Sequence, residues 1–596
     1  MTPGPPALRQ VEAEIAAELA AVRPGLAAAY AAALPDARAA VLGRLWRGLL
    51  YEPLPGVAEQ GPGRVRLHDG RLLTGPARLP HDLDPAPRPE DRPGAGTPRL
   101  GTADRRATDA GGGMAVRVDG RAYTDPADLL AALGLPGSAR LAADLERSTA
   151  SLALSRAGAS TRDVGREAGW EAGWKLEAFE QGVVDGHPYH PCCRNRPGFS
   201  VAEQLAYAPE HRPVVRLDLV DVPASRCLVA GPWPAELTDG DRVLVPVHPW
   251  QSRHRLPELG LEPSAAGVIP ARPLMSLRTL APVDGGPHVK TAVSARMTSH
   301  VRDISAASVR DAVPLSDLLT RAAARLGRAA PHIARYLCGA AVRVDGVPSA
   351  EVAVLLREPP SRFAGPEEVV APLAALTTRP ASGGPPLVRV LAEAAGGTTG
   401  TTGSTAGSSA GWLAAFARTA FTAGLGLLAM GIALEAHGQN LLAVLDRHGR
   451  PARVVYRDLA DIRVSPARLG RHGLETPPLH PRLVTDDPRH LREKLFGSLV
   501  GTTFAGLVSA LGHGDRAVEA RLWDVVTTAA RRAFDELPAT DGLRADRAAL
   551  FGPELPVKAH TLMQIDGGPP GDRWAYLPNP LAGGVSAAGV RGMGEG

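Results

Sequence analysis

Apolar residues recur at helical spacing over residues 7–50 (Leu8, Val11, Ile15, Leu19, Val22). Pro24 interrupts the pattern, which predicts two or three short amphipathic helices. A second helix-like stretch covers 161–182, with Trp170, Trp174 and Phe179 on one buried face. Between 213 and 305 the character changes. Runs such as VVRLDLVDV (214–222) and RVLVPVHPW (242–250) are β-rich and separated by Pro and Gly, predicting a sheet with irregular connections. Further alternating runs stand at 340–347 and 351–358. A helix is expected over 412–436. Its apolar run TAFTAGLGLLAMGIAL (419–434) is 16 residues long, short of the about 20 that a bilayer core requires, so a buried core helix is expected. Paired strands at 441–446 and 452–458, then helices near 490–510 and 516–536, complete an α+β chain. The expected architecture is multi-domain, with mixed or antiparallel sheets and a helical C-terminal domain.

Two segments lack periodicity. Residues 76–113 are rich in Pro, Arg, Asp and Gly and bury too little apolar surface to offset chain entropy, which predicts a mobile loop. The tract GGTTGTTGSTAGSSAG (396–411) reads as a linker.

Composition narrows the classes. With 596 residues, 44% hydrophobic and 21% charged, the chain can bury a large core in roughly three or four domain-sized units. Lys+Arg 66 against Asp+Glu 62 leaves a formal charge of +4 and no basic stripe for nucleic acid. The cysteines Cys192, Cys193, Cys227 and Cys338 form no CxxC pair, so a structural zinc site is not expected. So few cysteines, and a start with Glu12, Glu14 and Glu18 among alanines, predict a reducing, cytoplasmic location without a signal peptide. Only four lysines (Lys175, Lys290, Lys494, Lys558) and three asparagines (Asn195, Asn440, Asn579) survive the Ala/Arg/Gly/Pro bias. Their rarity draws attention to them, although Lys494 reads as a chance survivor.

Candidate chemistry gathers in four places. The stretch GHPYHPCCRNRPGFS (186–200) holds His187, His190, Arg194, Asn195 and Arg196. Proline stiffens the backbone after each histidine, and the arginines offer planar forks for phosphate or carboxylate. SLRT (276–279) interleaves Ser276, Arg278 and Thr279, which suits polyphosphate oxygens. KTAVSARMTSHVRDIS (290–305) brings Lys290, then Thr298, Ser299 and Arg302. A helix over 296–305 would seat an anion on its N-terminal hydroxyls and amides, with Arg302 one turn inward. EAHGQN (435–440) and YRDLAD (456–461) set Glu435, His437, Gln439, Asn440 and Asp458 around a glycine turn. The oxygens of Glu435, Asn440 and Asp458 suit Mg²⁺. For Asp458 a salt bridge to Arg457 or Arg463 is the structural alternative. VKAHTLMQ (557–564) adds Lys558 and His560.

In this order the blocks resemble the IucA/IucC family of NRPS-independent siderophore synthetases, over about 180–565. The resemblance implies an ATP-dependent ligase that adenylates a carboxylate, citrate or a related polycarboxylic acid, and condenses it with an amine or hydroxylamine-bearing substrate. It implies a hand-like fold: a thumb-like region over 1–150, fingers over 151–365 and a palm over 366–596. It places His187, His190, Arg194, Ser276, Arg278, Thr279, Lys290, Arg302, Gln439 and Asn440 at ATP. Thr298, Ser299, Arg302, His437 and Lys558 would line the carboxylate pocket, and Glu435, Asn440 and Asp458 would serve Mg²⁺. Arg302, His437 and Lys290 form the implied catalytic set. A homodimer is implied too, with no nucleic-acid or membrane partner. Two positions depart from the family pattern: Arg194 stands where a lysine is usual, and Gln564 where an arginine is frequent.

The chemistry is coherent. A carboxylate is a poor electrophile, and AMP transfer supplies a leaving group, provided cations neutralise the charge that develops at the α-phosphorus. The amine then attacks, with His437 a candidate for positioning substrate or relaying the proton. Two other readings compete: a small-molecule phosphotransferase with a kinase-like loop at HGQN, and a catalytically inactive carboxylate- or metallophore-binding protein.

Overall fold

The computed structural model describes residues 9–83, 114–160, 175–298, 300–380, 384–397, 405–565 and 571–583. Helix Gln10–Val22 ends at Pro24, as the spacing predicts, but Ala27–Tyr51 continues as one helix of 25 residues despite Pro35. Its buried face (Tyr30, Leu34, Val41, Leu45, Leu49) packs with Ala139–Ser160 and a five-stranded antiparallel sheet, and Ile565 from the far end of the chain joins this core. Trp170 and Trp174 lie outside the described residues, and the helix there is Leu176–Gln181 with Phe179 buried. Most of the predicted mobile loop, 84–113, also lies outside them.

The β-rich half forms a nine-stranded sheet. Its order is Cys227–Ala230, Tyr336–Val344, Val347–Arg357, His288–Thr291, Thr279–Pro282, Ala265–Pro273, Val215–Pro223, Arg242–Val247 and Thr238–Asp239, with antiparallel neighbours throughout. Antiparallel pairing lets short connections link neighbours, which fits the frequent Pro and Gly. One face of this sheet packs against helix Ala306–Ala324.

The C-terminal half is built on a four-stranded sheet. Leu441–Leu445 pairs antiparallel with Pro451–Tyr456, as expected, and His332–Ile333 adds a parallel edge. Helix Thr405–Ala429 starts inside the tract read as a linker and stops before Glu435, so the expected 412–436 helix is displaced toward the N-terminus. Gly431, at φ +98°, provides the break. Helices Pro488–Ser498, Ala505–Gly512 and Arg516–Asp535 close this core, the first two joined by a π-helical stretch at Leu499–Phe504. Two helices, Gly407–Ala429 and Pro488–Gly512, are long and apolar enough to cross a membrane, yet 67% and 89% of their apolar windows are buried inside the protein. Core packing against the sheet accounts for their composition. All four cysteines are free and buried.

Candidate active site

Every motif-bearing loop opens onto one cavity of about 1010 Å³. Lys290 lies on strand His288–Thr291 and pairs in register with Thr279 on the neighbouring strand, so SLRT and KTAV are brought together by the ladder. Arg278 donates to the carbonyls of Arg302 (2.5 Å) and Asp303 (3.0 Å), fastening the SLRT turn to the 293–302 hairpin. Leu277, at φ +67°, makes that turn tight enough to aim Arg278 inward.

The expected helix over 296–305 is not formed. Val293–Met297 and His300–Arg302 are antiparallel strands, and the helix begins only at Ala306, capped by Ser305. Arg302 therefore reaches the cavity from a hairpin edge, and its guanidinium donates to Thr298 Oγ1. Thr298 occupies the hairpin turn at φ +55°, and Ser299 lies outside the described residues. A helix-dipole seat is thus replaced by guanidinium groups.

Arg278 and Arg302 are half-buried and make no ion pair among the described residues. Burial pushes Arg302 down to about 10, with Arg278 adding repulsion and Asp458 and Glu435 opposing it. Lys290 is brought down to about 8, chiefly by burial and in part by Arg278, against the pull of Asp458. Asp458 Oδ1 accepts from Lys290 Nζ at 2.5 Å and from Tyr336 Oη at 2.8 Å, so Lys290, rather than Arg457 or Arg463, is its partner. Cations partly withdrawn from water without a countercharge are costly. An anion in the cavity would satisfy them.

A second charge cluster lies alongside. Lys494 Nζ contacts Asp572 (2.5 Å), Asp461 (2.9 Å) and Glu435 (3.4 Å), while Lys558 Nζ contacts Asp572 (2.6 Å) and Glu435 (3.1 Å). The two lysines outweigh the cost of burial and hold Glu435 down to about 2. Lys494 stands behind the cavity wall and ties together three carboxylates that line it, a structural role for which its rarity was the available signal. The carboxylates within reach of Glu435 are Asp461, the last residue of YRDLAD but not among the expected ligands, and Asp572, outside every motif, whereas Asp458 faces Lys290.

The histidines share one device. The Nδ1 atoms of His187, His190 and His437 accept from the backbone N–H two residues ahead, at 3.2, 3.0 and 3.2 Å. A neutral ring so anchored carries its proton on Nε2 and acts there as a donor. Burial keeps these rings neutral, with His190 near 3. His437 Nε2, 3.8 Å from Glu435, is thus a hydrogen-bond donor and not a proton acceptor in its neutral form. Of the two roles expected for His437, positioning substrate is the one this geometry favours. His560, 4.5 Å from His187 and 5.1 Å from His190 between ring centroids, completes a neutral imidazole wall. Gly438 is required here because a Cβ would come 2.8 Å from the backbone nitrogen of Ala374.

Two sequence candidates offer the cavity no free polar group: one stands behind the lining, the other lines it with its fork committed elsewhere. Thr279 is buried in the strand behind the lining, its N–H donating to Ser276 Oγ. Arg194 borders the cavity, but its fork is committed to the carbonyls of Val183 and Val184. The remaining candidates, His187, His190, Ser276, Arg278, Lys290, Thr298, Arg302, Glu435, His437, Gln439, Asn440, Asp458 and Lys558, all line it.

An α+β chain whose separate loops close around one cavity, cationic on one wall and mixed in charge on the other, is a small-molecule site suited to polyanions. Residues 175–378 match the IucA / IucC family, and residues 410–568 match the family described as ferric iron reductase FhuF-like transporter. It is 21% identical over 463 residues to the D-ornithine–citrate ligase of Staphylococcus aureus (strain NCTC 8325 / PS 47), covering 67% of this chain and 69% of the relative. It is 28% identical over 354 residues to the rhizobactin siderophore biosynthesis protein RhbC of Rhizobium meliloti (strain 1021), covering 53% and 59%. The fold matches ATP-bound aerobactin synthetase IucA from a hypervirulent pathotype of Klebsiella pneumoniae with a TM-score of 0.70 at 20% identity, over 92% of this chain and 99% of that one. Petrobactin biosynthesis protein AsbB from Bacillus anthracis str. Sterne matches with a TM-score of 0.68 at 16% identity, over 96% and 98%.

Proposed function

We propose that the protein is an ATP-dependent ligase of siderophore biosynthesis, which adenylates a polycarboxylic acid and joins it to an amine. The observation that carries this reading is the pair of half-buried guanidinium groups, Arg278 and Arg302, facing the cavity without a carboxylate partner among the described residues. With Lys290 they form a cationic wall for the phosphates and for the acid that attacks the α-phosphorus. The named activities of the relatives, and the ATP in the aerobactin synthetase structure, support it.

The residues suit Mg²⁺, which prefers oxygen ligands and substrate phosphates. Asp458 Oδ2 and Asn440 Oδ1 make no hydrogen bond among the described residues and belong to cavity-lining side chains. They would hold the ion, which supplies charge neutralisation at the phosphates. In the first half-reaction the acid carboxylate attacks the α-phosphorus and pyrophosphate leaves. Arg302 bridges both anions and lowers their repulsion. His437 Nε2–H donates to an oxygen of the acid or the phosphate. In the second, the neutral amine attacks the acyl carbon, the acyl–phosphate bond breaks, AMP leaves, and the proton lost from nitrogen passes to the departing phosphate or to solvent. Neutral imidazoles add donors without adding charge.

The test is carboxylate-dependent release of pyrophosphate from ATP, over a panel of polycarboxylic acids and of amines, with mass spectrometry of the product. Amide product with AMP supports the ligase. ADP would support a phosphotransferase, and binding without turnover an inactive receptor.

A further inference from the structure

Tyr336 belongs to no motif and does not border the cavity, yet its hydroxyl meets two cavity-lining groups at once. It accepts from Lys290 Nζ at 3.0 Å and donates to Asp458 Oδ1 at 2.8 Å. Lys290 donates to the same Oδ1. The three atoms close a triangle in which Tyr336 stands behind and the other two stand in front. The ring is held independently of this triangle, since strand Tyr336–Val344 lies in the nine-stranded sheet and the Tyr336 N–H donates to Ser316 Oγ at 2.9 Å. Asp458 needs such restraint, because its backbone sits at φ +67°, a region that non-glycine residues rarely adopt.

We propose that Tyr336 is the positioning residue that sets Lys290 and Asp458 as a donor–acceptor pair for the incoming nucleotide. Two N–H bonds of the ammonium are directed to Asp458 and Tyr336, which leaves one for the ligand. Oδ1 of the carboxylate is saturated by two donors, which leaves Oδ2 for the ligand or its cation. Without the hydroxyl, Lys290 retains only Asp458 as a neutralising partner, while Arg278 and Arg357 still face it with like charge. Lys290 would then fold more tightly onto both oxygens of Asp458 and withdraw its remaining donor. The inference rests on the nucleotide reading of the cavity, and goes beyond it by naming what holds the pair apart.

The variant Tyr336→Phe removes one oxygen and keeps the ring. In the purified full-length protein, Kd for ATP with Mg²⁺ is measured by calorimetry, alongside KM and kcat for pyrophosphate release. The expected result is a rise of about fivefold in Kd and KM for ATP, the size of one lost hydrogen bond, with KM for the acid unchanged. In a Lys290→Ala background the same substitution should add less than about twofold to Kd, because the group it positions is gone. Equal ATP affinity in wild type and Tyr336→Phe, or a full fivefold loss in the Lys290→Ala background, overturns the inference alone. A loss of thermal stability with unchanged Kd does so too, since it marks a merely structural role. Absence of ATP binding by the wild type overturns the nucleotide reading and this inference with it.

Discussion

Glu180 and Arg457 form a fully buried ion pair, with Oε1 2.5 Å from Nη1, that joins three separately encoded loops. The other oxygen of Glu180 accepts from the Met275 N–H at 3.0 Å, at the entrance to the SLRT turn. Arg457 Nε donates to the Gln439 carbonyl at 3.0 Å, in the EAHGQN turn, and its own N–H to the Asn440 carbonyl. The pair therefore sets the distance between the two halves of the cavity.

Removing one partner exposes the other to the interior. Glu180→Ala should cost about 3 kcal/mol or more, the scale for stranding a buried charge, measured by denaturant unfolding. Glu180→Gln, which keeps the Met275 contact, should retain more stability than the alanine variant. Equal stability in all three proteins would show that the pair has no such role.

Arg302 makes no ion pair among the described residues and is half-buried. Arg302→Ala should therefore leave the unfolding midpoint close to that of wild type, because no carboxylate partner is stranded. It should lower kcat for pyrophosphate release by about 100-fold to 1000-fold, the scale for one donor at developing charge. A loss of stability together with unchanged turnover would contradict both the geometry and the assignment.

His248 lies outside the cavity and carries a pH signature. It caps Pro249–His254 by accepting from the Trp250 N–H at 3.1 Å, and burial holds its ring down to about 3. Its folded value lies below the unfolded one, so its contribution is fully present above about 6.5 and is lost as pH falls toward 3. Over that window this histidine alone should reduce stability by about 1.4 kcal/mol per pH unit, as the unfolded chain takes up a proton that the native state refuses. His248→Asn can keep the cap and should flatten the acid limb of ΔG against pH by one proton. An unchanged slope would show that the ring is protonated in the folded protein.

Gly48 joins the two ends of the chain. A Cβ there would lie 2.1 Å from Thr561 Oγ1 and 2.7 Å from Thr561 Cβ, so helix Ala27–Tyr51 and the turn after Lys558 touch directly. Glu52 holds that turn by accepting from the Thr561 and Leu562 N–H groups, each at 2.8 Å. Gly48→Ala should destabilise by about 1–3 kcal/mol through overpacking. It should also raise KM for the acid, because Lys558 and His560 are carried on the displaced segment. Retention of both stability and KM would rule out this docking.

Local pattern was enough to define much of the chain. The break at Pro24, the hairpin Leu441–Tyr456 and the core helices near 490–510 and 516–536 follow from short-range periodicity and turn chemistry, which act within a few residues. The same holds for the cavity-lining identities of His187, Lys290, Arg302, Asn440 and Asp458, because rare Lys and Asn stand out in an Ala/Arg-rich sequence and the other three fall in tight polar clusters. Tertiary structure decided what pairing could not reveal. Val293–Met297 and His300–Arg302 became paired strands instead of a helix because they bond each other in antiparallel register. Lys494, Asp461 and Asp572 meet Glu435 across a sequence separation of up to 137 residues, and Tyr336 meets Asp458 across 122. Charge partners so far apart are chosen by where the sheets and helices place them, and no local pattern encodes that distance.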